Sequence, residues 1–355
     1  MKLQTLTLAL AAPLALALTA PVDSLRHEVA ENTTLEMAFV TKVALDLDEV
    51  RMVEDGQEID PDMIGMELTL SSTSTFGWMD TYGAPRDNGA PESLTRTFIE
   101  LETETSSSQS SIMGSQDLEV TSESELLGET VVFAYDAETG AYEASFPEES
   151  KADTELLEGL TARTDLAFLL PDGDVEVDST WKADPSQLSA LLGPGGSLKL
   201  LPNEDDLPEE ARGQGAGQEF TMAEMLGEVD GEISCTYVGM RTEEGRSLMV
   251  VAVEIDVESS NDMTDLMREK MEEFDAMQGG SLSFDAVHTE LVLEGKGELL
   301  WDAAAGHFAA FAFEGDMRQV MDMSMAMTIG LRSVEIEQAM TMTGSLEFDF
   351  TATKE

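Results

Sequence analysis

The chain has 355 residues, with 72 acidic against 19 basic side chains and a formal net charge of −53 at pH 7. Nucleic acids and anionic membrane surfaces are bound by clusters of Lys and Arg, so this balance argues against both as partners. We interpret the negative charge as a solubilising, salt-adapted surface.

The N-terminus has the features of an export signal. Lys2 is followed by an apolar run over residues 3–20, which has the length of a signal-peptide core and is short for a membrane span. We predict a signal peptide over residues 1–20. The mature protein is expected to be soluble and exported, either to the periplasm or to the extracellular space.

The first half of the chain has the two-residue period of half-buried strands. The alternating apolar positions are Val43, Leu45 and Leu47, then Met66, Leu68 and Leu70, then Phe76 and Trp78, then Ile99 and Leu101. Residues 80–91 and 106–115 are rich in Gly, Pro or Ser, and we predict that both form exposed loops.

One pattern occurs twice. Residues 135–144 and 301–310 share the form aromatic-Asp-Ala-x-x-Gly-x-aromatic-x-Ala. This form is typical of a β-hairpin, because Asp opens the turn and Gly takes the positive φ that closes it. Two such hairpins in separate halves favour a duplicated sheet. We predict two related β domains, over residues 24–170 and 185–355, joined by a junction at 171–184, with one large sheet as the alternative.

The junction carries the run Pro-Asp-Gly-Asp-Val-Glu-Val-Asp-Ser-Thr-Trp over residues 171–181. Together with residues 94–98, which read Leu-Thr-Arg-Thr-Phe, it resembles a signature of uncharacterised exported bacterial β-rich proteins. In that signature a Pro leads through Val-x-Val to Gly-Asp-Ser-Trp. This chain has Asp178 and Ser179 where the signature has Gly and Asp. The resemblance implies no known activity, so no functional residue follows from it.

The second half contains runs much longer than the usual five or six residues of a strand. The two-residue alternation extends over residues 246–259, 287–301, 317–331 and 334–350. Strands of this length twist and cannot stay flat in a compact domain. We therefore predict a mainly β fold, made of two similar, strongly curved antiparallel sheets or open barrels with a few short helices.

Two further features of the second half bear on its core. Residues 261–278 are the best helix candidate, because their apolar side chains fall on one stripe that ends at two glycines. Cys235 is the only cysteine, so the exported fold has no internal disulfide. Its phase with Ile233 and Tyr237 indicates a buried strand residue rather than a nucleophile.

No Gly-x-Ser-x-Gly, phosphate-loop, dinucleotide or His-Glu-x-x-His motif is found, and the Ser-x-x-Lys match at residues 179–182 lacks its partner motifs, so we predict a non-enzymatic protein without cofactor or metal. Two function classes remain. In the first, the curved sheets enclose a hydrophobic small molecule such as a lipid. The predicted lining residues are Phe311, Phe313, Met321, Met323, Met325, Met327, Met340 and Met342. In the second, the core is fully packed and the protein is a structural module or binds an envelope protein. A third, weaker alternative is Cu(I) binding by the thioethers.

Overall fold

The computed structural model describes residues 25–60, 65–111, 114–208, 222–269, 282–329 and 332–355. The predicted signal peptide lies outside these ranges. The strands are β1 (Thr34–Glu54), β2 (Gln57–Ile59), β3 (Glu67–Tyr82), β4 (Ser93–Ser111), β5 (Gly114–Ser124), β6 (Thr130–Asp136), β7 (Ala141–Ser145), β8 (Thr180–Ala183), β9 (Leu200–Pro202), β10 (Glu228–Glu243), β11 (Arg246–Asp262), β12 (Leu282–Asp302), β13 (His307–Ile329) and β14 (Arg332–Lys354). The described helices are α1 (Leu188–Leu192), α2 (Met222–Leu226) and α3 (264–269), with 3-10 turns at Thr154–Leu157, Ala167–Leu169, Pro185–Gln187 and Glu204–Asp206.

The fourteen strands within the described ranges form one antiparallel sheet that does not close on itself. Its order is β7-β6-β4-β3-β1-β14-β13-β12-β11-β10-β8, with β2 beside β1, β5 beside β4 and β9 beside β5. The predicted mainly β fold with few short helices is confirmed. The two halves share this sheet because β1 pairs with β14, from Leu35 opposite Lys354 to Glu54 opposite Ile336. The division into two domains at 171–184 stays a prediction.

One face of the sheet, which we call the inner face, is buried along a continuous row across the strands. Opposite one another in register, the residues of this row are Leu101, Phe76, Phe39, Phe350, Phe311, Leu299, Val251 and Tyr237. Residues 154–200 cover this row, and their buried side chains include Leu166 and Leu188. The same cluster contains Phe133 near one end of the sheet and Ile233 near the other. The sheet therefore curves around residues 154–200.

Both copies of the repeated pattern form hairpins, as predicted. In the first, Gly140 N donates to Asp136 O at 2.9 Å, and in the second Gly306 N donates to Asp302 O at 2.8 Å. Both glycines have a φ of 75°, in the left-handed region that favours glycine. The Asp and Gly of the pattern thus have the roles expected from the sequence.

The second turn also holds the segment that precedes β1. Glu28 N donates to Gly306 O at 3.0 Å. A Cβ on Gly306 would lie 2.1 Å from Glu28 O, whereas a Cβ on Gly140 would meet nothing closer than 3.9 Å. Leu25 and Val29, in the same segment, are buried in the main core. Position 306 therefore requires glycine both for its φ and for this close approach.

We predict that Gly306→Ala destabilises the fold more than Gly140→Ala does. Each substitution places a Cβ in the left-handed region, which costs about 1–2 kcal/mol, but only the first also meets the Glu28 carbonyl. Chemical unfolding of both variants should show an additional loss of about 1 kcal/mol or more for Gly306→Ala. Equal losses would mean that this turn does not hold the segment before β1.

The predicted loop at 106–115 is wrong, and the one at 80–91 begins too early. β3 continues to Tyr82, while β4 and β5 occupy most of residues 106–115. There, paired hydroxyl groups take the place of alternating apolar residues, and Ser71 Oγ lies 3.0 Å from Ser106 Oγ on the neighbouring strand. Cross-strand Ser and Thr pairs stabilise a sheet without apolar side chains. Composition alone therefore misassigned these strands.

The predicted helix 261–278 starts later than expected. β11 runs to Asp262, and the described helical residues are 264–269, while residues 270–278 lie outside the described ranges. Asp262 Oδ1 accepts a hydrogen bond from Thr264 N at 3.0 Å, which marks the change from strand to helix. No helix within the described ranges is both long and apolar enough to cross a bilayer.

Candidate ligand-binding face

The inner face is tightly packed where the strands cross residues 154–200. Phe311 and Phe313 are 0% and 2% exposed. The ring centroid of Phe311 lies 6.0 Å from that of Phe350, and the ring centroid of Phe313 lies 5.5 Å from that of Phe348. The structure therefore places these two predicted lining residues within the protein's own aromatic core.

Phe313 also fills a gap left by two glycines. Gly295 and Gly315 lie opposite each other on β12 and β13. A Cβ on Gly295 would lie 2.5 Å from Phe313 Cζ, and one on Gly315 would lie 2.9 Å from the same ring. The missing side chains make room for the ring and favour a bend in both strands. This pair marks the edge of the packed region.

Beyond the glycine pair the inner face carries methionines on β13 and β14, with Gln319 opposite Met342 and Gln338 opposite Met323. We define the methionine band as Met321, Met323, Met325, Met340 and Met342, all of which are half-buried. Met321 lies directly opposite Met340, and Met342 lies opposite Leu47 of β1. Met327 continues the alternation along β13, but its side chain lies outside the described part. The structure thus brings the predicted methionines onto one face of two paired strands.

The far end of the methionine band is covered by a second apolar cluster. Met263, Phe284 and Val287 form its buried centre, and Met323 and Met325 pack against them. α2 and α3 add Met225, Leu266 and Met267 to the same cluster. The other three methionines of the band belong to none of the buried clusters found in the described residues. The middle of the band is therefore a half-buried surface between two packed regions, where the methionines are interspersed with the half-buried Gln319 and Gln338.

The position of α3 over this cluster is fixed by hydrogen bonds to β12. Arg268 Nε donates to Phe284 O at 2.7 Å, and Arg268 Nη2 donates to Asp285 O at 2.8 Å. Thr264 Oγ1 accepts a hydrogen bond from Val287 N at 2.9 Å. These bonds satisfy backbone groups at a strand edge, so α3 is held over one end of the band.

One buried polar group lies beside the open part of the methionine band. Thr289 stands between Asn261 and Met321 in the register of the sheet and is 7% exposed. Its Oγ1 has no hydrogen-bond partner among the described residues. A buried hydroxyl without a partner costs about 1–3 kcal/mol. Apolar pockets commonly place a polar group of this kind where it orients a ligand.

The outer face of the sheet is acidic. A hollow of about 710 Å³ on this face is lined by Glu254, Asp256, Glu294, Glu314, Asp316 and Glu347. Lys296 Nζ lies 2.6 Å from Glu254 Oε1, and Lys42 Nζ lies 3.2 Å from Glu347 Oε2. Exposed pairs of this kind contribute little to stability, so this face is chiefly a solvated surface. In the described part of the chain no group of three or more His, Cys, Asp and Glu residues is arranged to hold a metal ion.

A buried ion pair joins the sheet to the segment that covers its core. Arg96 Nε and Nη2 donate to the two carboxylate oxygens of Asp80, each at 2.8 Å, and both side chains are buried. Burial raises the pKa of Asp80, and the nearby Arg96 only partly offsets the rise. Arg96 also donates to the carbonyl oxygens of Thr161 and Ala162 at 3.0 and 3.1 Å. Because these bonds are internal, we assign the pair a structural role.

A second buried carboxylate holds the segment before β1. His27 Nε2 lies 3.5 Å from Asp165 Oδ2, and Arg163 Nη2 lies 3.2 Å from Asp165 Oδ1. Burial by itself would raise the pKa of Asp165, but the charges of His27 and Arg163 and the Ala167 N–H bring it below the ordinary value of 3.8. A carboxylate with a lowered pKa stabilises the folded state as long as it stays ionised.

We predict that Asp165→Asn lowers the free energy of unfolding by about 2 kcal/mol at about pH 7, because charged hydrogen bonds are lost. Since the pKa of Asp165 is lowered by folding, its contribution is complete above about pH 4 and disappears as the pH falls through the folded-state pKa. Urea unfolding at about pH 7 and about pH 3 should therefore show a smaller difference between the two proteins in acid. A difference that does not change with pH would exclude this role.

Among the described residues, the cysteine and the other two histidines lie on three different strands. Cys235 is fully buried, and burial raises the pKa of its thiol to about 12, so no thiolate forms near neutral pH. Burial lowers the pKa of the His307 imidazole, which lies at the start of β13, directly after the turn of the second hairpin. His288 Nε2 lies 3.2 Å from Ser260 Oγ on an exposed part of β12.

Sequence reasoning missed Thr289, Asp80 and Asp165. Thr289 could have been found, because it has the same two-residue phase as the apolar Val287 and Leu291. The composition of residues 80–91 predicts a loop at Asp80, so it gives no indication of the pairing with Arg96. No local pattern connects Asp165 with His27, because only the fold brings these distant positions together.

No family model matches the chain, and no curated protein sequence matches it. Among solved structures, an outer membrane channel from Pseudomonas putida F1 is 8% identical, with a TM-score of 0.23 over 92% of this chain and 98% of that chain. The outer membrane protein OprG from Pseudomonas aeruginosa is also 8% identical, with a TM-score of 0.20 over 90% of this chain and 97% of that chain. TM-scores this low do not establish a shared fold.

Proposed function

We propose that the protein is an exported, non-enzymatic binding protein of the cell envelope that holds a lipid-like apolar ligand along the methionine band. The observation that supports this function is the half-buried state of the band, which continues the apolar inner face past the packed core. Apolar surface left in water costs roughly 25 cal/mol per Å². A bound hydrocarbon chain would remove that cost.

The length of the inner face suits a hydrocarbon chain. Between Met317, which packs against the main core, and Met323, which packs against the second cluster, it extends along six residue steps of β13, or about 20 Å at the usual rise of a strand. The hydrocarbon of one bilayer leaflet is about 15 Å deep. A chain of that length therefore fits along the band, and flexible thioethers can adapt to its shape.

The polar end of the ligand is expected to be uncharged. The hydroxyl of Thr289 can donate one hydrogen bond and accept others, and it lies beside Met321. The net charge of −53 repels an anionic head group at long range. An ester, amide or hydroxyl group would satisfy Thr289 without that repulsion, so a neutral lipid is the preferred class.

We predict that the double variant Met321→Gln, Met342→Gln binds a fluorescent monoacylglycerol at least about tenfold more weakly than wild type. The reason is that two amides on this face would lose hydrogen bonds with water when the chain covers them. Fluorescence anisotropy titration of the mature protein measures the affinity.

Val320→Gln is the matched control for this pair. Val320 is also half-buried and lies next to Met321 on β13, but it points to the outer face. The control should bind the probe as wild type does. Absence of saturable binding by wild type, or equal binding by all three proteins, would contradict the proposed function.

A structural or protein-binding role is favoured by a different observation, the filled state of the core around Phe311 and Phe313. In that case the methionine band is the contact surface for a protein of the envelope. Wild type would then fail to bind the acyl probe, while a photocrosslinker on the band would join the protein to one specific envelope protein in its host. Crosslinks spread over many proteins would argue against this second role.

A further inference from the structure

We propose that the methionine band is also a modification site, at which oxidants of the peroxide or hypohalous acid class convert half-buried thioethers to sulfoxides. Nothing in this step requires a bound ligand. Oxidation is also expected to release the apolar ligand. That consequence rests on the proposed function and is tested separately.

Access to the sulfur atoms is the first argument. Methionine oxidation requires an oxidant to reach the thioether, so it follows exposure. Met37 and Met249 are each 1% exposed in the main core, whereas the methionines of the band are half-buried. The described methionines thus differ in exposure, and those of the band belong to a half-buried group on the inner face that also includes Met317 and Met52.

The arrangement of the thioethers is the second argument. The chain has 22 methionines, and those of the band are concentrated on one face of two paired strands. Met321 and Met340 are directly opposite, with Met323 and Met342 each two residues further along its strand. Cβ atoms of directly opposite residues are about 5 Å apart. Several sulfoxides can therefore form within one continuous surface.

The oxidant accepts the two electrons that the sulfur loses. With a peroxide, the thioether sulfur donates a lone pair to a peroxide oxygen, and an S–O bond forms as the O–O bond breaks. With a hypohalous acid, the sulfur takes the halogen as the O–halogen bond breaks, and water then displaces halide to form the S–O bond. The sulfur loses two electrons, and the oxidant is reduced to water or to halide and a proton. The product is a polar sulfoxide, which a reductase can convert back to the thioether.

Oxidation is expected to make the inner face more polar. A sulfoxide oxygen needs a hydrogen-bond donor, and a hydrocarbon chain supplies none. Oxidation of Met321 and Met342 would thus leave polar groups where the proposed ligand lies. Met323 and Met325 are partly protected, because they pack against Met263, Phe284 and Val287.

The first experiment maps oxidation without any ligand. The mature protein is treated with limiting hypochlorous acid, quenched, digested and analysed by mass spectrometry for sulfoxide at each methionine. We expect Met321, Met340 and Met342 to be oxidised at least about fivefold faster than Met37 and Met249. Equal rates in the two sets would overturn the proposal. Met240, which is 47% exposed on β10, is the reference for an accessible methionine outside the band.

The second experiment tests the consequence for binding. Wild type and the triple variant Met321→Leu, Met340→Leu, Met342→Leu are compared before and after oxidation, since Leu keeps the apolar volume but cannot form a sulfoxide. Oxidised wild type should lose at least about tenfold in affinity for the monoacylglycerol probe relative to unoxidised wild type, while oxidation should change the affinity of the triple variant less than about twofold relative to its own unoxidised form, whatever that starting affinity is. A reductase for methionine sulfoxide should restore wild type.

Equal losses in wild type and the triple variant would overturn the link between the methionine band and ligand release. If unoxidised wild type binds no probe, the proposed function fails, and the oxidation map still decides whether the band is a modification site. The two failures are therefore distinguishable.

Discussion

The pairing of β1 with β14 is the constraint on which the rest of the sheet depends. It joins the first and last described strands in the middle of the strand order, with Leu35 opposite Lys354. Closing so long a stretch of chain costs conformational entropy. Aromatic packing offsets this cost, since the ring centroids of Phe39 and Phe350 are 4.8 Å apart and those of Phe39 and Trp78 are 4.5 Å apart. The two halves of the chain therefore share one sheet and one core.

The length of the strands gives the inner face two different environments. Aromatic residues fill the half that residues 154–200 cover, up to the glycine pair and the ring of Phe313. Methionines line the other half, where the described residues leave the middle of the band half-buried. Rigid rings suit a core with a single packing, while flexible thioethers suit a surface that adapts to what binds it. This division of one face into two packed regions and a half-buried middle is the basis of the proposed function.

Periodicity predicted the strands that alternate clearly and the methionines that share a face. The turn pattern predicted both hairpins down to the roles of Asp136 and Gly140, because turn chemistry is local. Three features could not be predicted from such local patterns. The Ser-rich strands lack apolar alternation, the joining of both halves depends on the distant pairing of β1 with β14, and the ion pair of Arg96 with Asp80 forms only in the folded chain.

Native mass spectrometry of the mature protein, purified without detergent from the envelope of its host, tests the central claim most directly. A ligand held on the methionine band should appear as a reproducible lipid-sized addition to the polypeptide mass. That addition should be lost in the double variant Met321→Gln, Met342→Gln and retained in Val320→Gln. A bare polypeptide mass that stays unchanged after incubation with neutral lipids would contradict a binding role for this face.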